Sequence, residues 1–88
     1  MTLFRRMGYD NTEVIIMKLF IRATWDDEAR VWVAESDDVP GLVLESGSLD
    51  ALIERLRYAV PEMLALNGTD PDAVEMNIVS QRLEQVAM

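Results

Sequence analysis

The chain contains no cysteine and no histidine, and these two absences remove more chemistry than most residues present could add. Without cysteine there is neither a disulfide framework nor a thiolate metal site. Without histidine, nucleophilic catalysis of the Ser/His or Cys/His type is excluded. Basic residues are scarce, eight against sixteen acidic, for a net charge of −8. That sign repels phosphate backbones, argues against a nucleic-acid binder and favours cationic partners. No apolar run approaches the ~18 residues of a membrane span, and Met1 to Asp10 has no signal-peptide apolar core, so a soluble cytoplasmic protein is expected. The few glycines stand apart from one another. Gly41, Gly47 and Gly68 each fall at an element end, where backbone geometry explains them, and no phosphate-cradling loop is present.

What is present reads as one small folded domain. Half of the 88 residues are hydrophobic and 7% are aromatic, an ordinary globular composition. A chain of this size leans on oligomerisation, so a homodimer or higher homo-oligomer is expected. Residues 1–13 show no sustained period and are expected to form a flexible N-terminal arm; the domain itself is placed at 14–88.

Val14 to Trp25 is rich in β-branched and aromatic residues and alternates from Met17 on, which predicts the first strand. Asp26 to Ala29 forms a four-residue turn, and Arg30 to Ser36 alternates again as the second strand of a hairpin. With that turn, Trp25 faces Arg30, Ala23 faces Trp32 and Ile21 faces Ala34. Met17, Leu19, Ile21, Ala23, Trp32 and Ala34 then share the core face. The other face carries Lys18, Phe20, Arg22, Thr24, Val31, Val33 and Glu35, more apolar surface than a fully solvated face should show, so something is expected to cover part of it. Pro40 and Gly41 end the second strand, and Leu42 to Ser46 is a short third one.

Ser48 is the N-cap of an amphipathic helix whose apolar positions are Leu49, Leu52, Ile53, Leu56, Ala59, Val60, Met63 and Leu64. Pro61 is expected to kink it or divide it in two, and Asn67-Gly68 to stop it. A fourth strand follows from about Val74 to Leu83, although the later half, S-Q-R-L-E-Q-V-A, also suits a helix. The fold class is α+β: a single β-β-β-α-β domain, antiparallel-rich, with one helical layer.

Carboxylates are the remaining candidates for chemistry. Asp26, Asp27 and Glu28 share one turn, and Glu35, Asp37 and Asp38 lie near the far end of the second strand. Such clusters can hold a hard cation or supply acid and base. A strand about 20 Å long at ~3.3 Å per residue separates them, and neither alone has the oxygen spacing of a calcium loop. They are read as solvated turn acids; no metal, no cofactor and no catalytic residue are expected. Trp32 reads as core, while Trp25, beside the polar turn, suits either packing or a ligand platform.

The run W-D-D-E-A-R-V-W-V-A-E-S-D-D-V-P-G-L-V-L-E-S-G-S-L-D-A-L-I-E-R-L, from Trp25 to Leu56, resembles the HicB-like antitoxin superfamily. It looks closest to a branch of short stand-alone members, largely domains of unknown function. The likeness covers roughly Lys18 to Gly68, with Asp26, Val33, Ala34, Pro40 and Gly41 on the pattern, as are Ser48-Leu49-Asp50-Ala51 at the helix start and Val60-Pro61-Glu62 at its interruption. The resemblance implies a degraded ribonuclease-H-like unit of the HicB N-terminal type that does not catalyse. It also implies direct binding to a small basic toxin, an RNA-cleaving enzyme with a catalytic histidine. The residues after Gly68 are mostly taken by the fourth strand, so a C-terminal DNA-binding domain and direct operator binding are not expected. The function expected is therefore a non-enzymatic protein-binding module. Its partner or oligomer interface is placed at Phe20, Val31 and Val33, with Asp26, Asp27 and Glu28 as acidic contacts. The alternative is a small-molecule or metal-sensing domain built on Trp25 and its turn.

Overall fold

The computed structural model describes residues 2–7 and 13–88, with side chains from Val14 onward. In chain order the elements are β1 (Thr2–Met7), β2 (Glu13–Asp26), β3 (Val31–Glu35), β4 (Val43–Ser46), α1 (Leu49–Leu66) and β5 (Ala73–Gln81). From β2 onward this is the β-β-β-α-β order of an α+β domain. The expectation of a flexible arm over residues 1–13 falls partly outside the described residues; within it, the backbone of β1 pairs antiparallel with the first part of β2.

Strand β2 is the spine. On one edge β5 runs parallel to it, from Ile16↔Ala73 to Thr24↔Gln81. On the other, β3 pairs antiparallel from Arg22↔Glu35 to Asp26↔Val31, and β4 adds to β3. The sheet is thus mixed, because the crossover through α1 carries the chain from the β4 edge to the far side of β2 and delivers β5 in the same direction as β2. Alternation does the rest. The odd residues of β2 from Met17 to Ala23 are fully buried, as are Ala34 of β3 and Leu52, Leu56, Val60 and Leu64 of α1. These residues form one core between sheet and helix, each large aliphatic side chain contributing ~1.5–3 kcal/mol of transfer free energy.

Two expectations about local geometry are corrected. The hairpin pairs Trp25 with Trp32 and Ala23 with Ala34, a slip of two residues from the predicted register, and the loop is Asp27–Arg30 rather than Asp26–Ala29. Asp26 causes the slip. Its carboxylate accepts the N–H groups of Glu28 and Ala29, both at 3.1 Å, and its carbonyl accepts the N–H of Arg30 at 2.8 Å. Arg30 takes a left-handed φ of 60° to close that loop. Because a two-residue slip preserves parity, every side chain keeps its predicted face.

The second correction concerns division of the helix at Pro61, one of the two outcomes expected there: Pro61 lies inside one continuous helix of 18 residues. Buried Val60 and Leu64 on either side hold the helix to the sheet, which compensates for the missing donor. The caps are as predicted. Ser48 accepts the N–H of Ala51 at 3.1 Å. At the other end Gly68 adopts φ 78°, with Gly68 N–H to Ala65 and Thr69 N–H to Leu64 at 3.0 and 2.8 Å, a Schellman motif.

The loop after β3 adds two core residues that periodicity does not reveal. Val39 and Leu42 are buried because they flank a turn closed by Leu42 N–H to Val39 O at 3.1 Å. Pro40 and Gly41 (φ 83°) occupy its centre, the arrangement of a type II turn. Strand β5 ends at Gln81, and residues 82–88 are neither strand nor helix.

Candidate protein-binding surface

From Lys18 onward the sheet face opposite α1 is uncovered among the described residues, whereas Ile16, of the same parity, is buried. Phe20 is 42% exposed, Val43 64% and Val79 46%, while Val31 and Val33 are half-buried. Cross-strand register puts these residues together: Thr24 faces Val33, Glu35 faces Val43, Val33 faces Glu45 and Arg22 faces Val79. Of the predicted interface residues, Phe20, Val31 and Val33 therefore share this face as expected. Val43 and Val79 extend the patch, and neither was singled out from the sequence. Val43 lies in a strand only four residues long, and alternation in the fourth strand separates Val74, Met76 and Ile78 from the opposite side without saying which side faces outward.

The acidic residues predicted to serve contacts are mostly engaged within the chain. Asp26 holds the hairpin turn. Asp27 accepts from the indole Nε1 of Trp25 at 3.2 Å and pairs with Arg30 at 2.6 Å. Glu28 is exposed at the turn itself, one strand length from Phe20.

The other cluster completes the sheet. β1 pairs with β2 as far as Lys18 and β3 only from Arg22, so Phe20 lies between the two on that edge. There the Phe20 N–H donates to the Asp38 carboxylate at 2.7 Å, and the Ser36 hydroxyl donates to the Phe20 carbonyl at 2.6 Å. Two side chains thus stand in for one ladder rung. Asp37 accepts from Arg22 at 3.2 Å, and that hydrogen bond raises the guanidinium pKa further above its ordinary value. This exposed pair adds little stability, but it fixes a cation beside Phe20. Around the apolar patch, Glu35 and Glu45 lie exposed, and Glu75 pairs with the exposed Lys18 at 3.6 Å.

Trp25 is not an open platform. Its ring meets Trp32 edge-on at 5.5 Å and an interplanar angle of 60°, a contact worth ~0.5–1.5 kcal/mol beyond burial. Arg30 and Arg82 lie 5.1 and 4.3 Å from its centroid. The ring is therefore a staple between the hairpin and the chain beyond β5. Among the described residues no three potential ligands converge on a metal position, and no helix is long and apolar enough to cross a membrane.

What the surface offers is an apolar patch bordered by exposed acids and by the Arg22–Asp37 pair. Comparison with known proteins agrees with the fold and adds a family. No curated protein matches the chain in sequence. A crystal structure of a hypothetical protein from the extremely thermophilic bacterium Thermus thermophilus is similar, with a TM-score of 0.62 and 39% identity over 81% of this chain and 99% of that one. Residues 18–87, β2 through the tail, match the family model described as Domain of unknown function (DUF1902), and with most of its length on that model the chain belongs to this family.

Proposed function

We propose that the protein is a non-enzymatic interaction module, a HicB-like antitoxin or a derivative of one, that captures a small basic protein on the outer face of its sheet. The observation that carries the proposal is the uncovered patch of Phe20, Val31, Val33, Val43 and Val79 on a chain of net charge −8. An apolar centre supplies affinity through area removed from water, and a surrounding field of one sign steers an oppositely charged partner and rejects like-charged ones. The resemblance in the W-D-D-E to V-P-G-L segment supplies the chemical class of that partner, an RNA-cleaving toxin neutralised by direct binding.

The test is co-expression with a small basic, histidine-containing protein encoded beside this gene. Co-purification with rescue of growth supports the proposal, and both should fail with Val33→Asp while the free variant stays folded. Failure of the wild-type chain to retain or neutralise such a protein overturns it. The sensing alternative draws no support from Trp25, whose ring is packed by Trp32, Arg30 and Arg82.

A further inference from the structure

Strand β5 is an open sheet edge. Among the described residues only β2 pairs with it, and from Met76 to Gln81 it carries no charge. Helix α1 lies over β3 and β4, so the inner side chains of β5, Val74, Met76 and Ile78, are only half-buried. Between them and Ile53, Pro61 and Leu64 of α1 runs a groove of about 580 Å³, more apolar than polar, with Arg57, Asp70 and Asp72 also in its lining. Past Gln81 the chain displays three apolar side chains almost bare, Leu83 at 91% exposure, Val86 at 73% and the terminal Met88. The tail runs away from its own groove and would have to reverse direction to enter it, since the groove leads back from Ile78 toward Pro71. The tail leaves β5 beside Trp25, where Arg82 stacks, whereas the groove extends to Leu64, Ala65 and Pro71 at the start of β5. At ~3.3 Å per residue those ends are about 26 Å apart.

We propose that a second copy of this chain fills both vacancies: the two β5 strands pair antiparallel about a two-fold axis at Asn77, and the tail of each copy lies in the groove of the other. Asn77 is the middle residue of the nine-residue strand. Pairing there sets Met76 opposite Ile78, Ala73 opposite Gln81 and Glu75 opposite Val79. Opposed residues have equal parity, so both inner faces fall on the same side and the two grooves become neighbours. No acid faces an acid within the seam, which matters between two molecules of charge −8. Antiparallel pairing also brings each tail out, without a reversal, at the other copy's Pro71, one end of the groove. A two-strand seam alone falls short of the ~1,200–2,000 Å² of a stable interface, and Leu83 and Val86 in the groove supply further apolar area.

The chain has no native cysteine, which makes the test clean. Opposed Cα atoms in an antiparallel pair lie ~4.5–5.5 Å apart, within disulfide range. The expected results are a dimer by light scattering and covalent dimer formation by Asn77→Cys on mild oxidation. The double substitution Leu83→Asp with Val86→Asp should raise the dimer dissociation constant about tenfold or more. Val79→Glu should weaken the dimer by facing Glu75, whereas Val79→Lys should not. All these side chains are exposed in the single copy, so circular dichroism should stay unchanged. A monomeric wild-type chain overturns the proposal, as does a dimer that neither cross-links through the introduced thiol nor responds to charge at position 79. A cross-linking dimer indifferent to the tail substitutions overturns the tail's role. None of these outcomes depends on whether a basic partner binds the outer face.

Discussion

At the scale of single residues, acidic side chains do structural work that their number conceals. Asp26 holds two amides of the hairpin turn, Asp38 takes the Phe20 N–H, and Asp72 accepts the N–H of Ile15 at 2.8 Å while donating its own N–H to the Ile15 carbonyl. Each tie satisfies backbone donors that would otherwise lack a partner. Replacing Asp26 by Ala should therefore cost about 1 kcal/mol, read as a lower urea midpoint with an unchanged slope. The glycines separate by backbone geometry. Gly41 and Gly68 have φ of 83° and 78°, and a Cβ on Gly41 would stand 3.0 Å from Cε of Met63, whereas one on Gly68 would meet nothing. Substitution by Ala should cost ~1–2 kcal/mol at either position from the left-handed backbone, more at Gly41 to the extent that Met63 must shift. Gly47→Ala, with open space and an ordinary φ, should be near neutral. Equal losses at all three would contradict this account of the turns. That Asp38 and Asp72 close the sheet was not legible in the sequence, because their partners lie 18 and 57 residues away and periodicity carries no such information.

At the scale of elements, what the sequence discloses is the face of each residue, and what it leaves open is register and direction. Alternation in β2 and helical spacing in α1 identify the core face before any contact is known. The hairpin turn could shift by two residues without disturbing a single face, and so its position was decided by Asp26 chemistry rather than by pattern. Likewise nothing in Val74 to Leu83 specifies that β5 runs parallel to β2. Pro61 marks the opposite case, a strong local signal overridden by tertiary packing. It sits exposed in a helix held on both sides by buried leucines and valine. Pro61→Ala restores a donor and removes the ring, and should stabilise the protein by roughly 1 kcal/mol or more, less than the full ~3 kcal/mol interior penalty because the ring also stiffens the unfolded chain. A thermal melt checks this; a lower melting temperature would mean that the ring is needed against the groove it lines. Leu56→Ala, in the fully buried stripe, should cost ~2–5 kcal/mol.

At the scale of the whole molecule, two surfaces with different jobs emerge from one sheet. The face of Phe20, Val31 and Val33 was legible as over-apolar once alternation was read; the β5 edge was not, since it depends on where the helix happens to lie. If capture on the outer face is driven by charge as well as area, association with a basic protein should slow and weaken as salt rises, while the proposed β5 dimer, whose seam sets no charge opposite another, should change little. The most direct measurement of the central claim follows the backbone amide spectrum of the isotopically labelled chain as a small basic toxin of the class proposed above is added. Shifts concentrated at Phe20, Val31, Val33, Val43 and Val79, abolished by Val33→Asp, are the predicted result. An unperturbed spectrum, or shifts confined to α1 and the β5 groove, would contradict it.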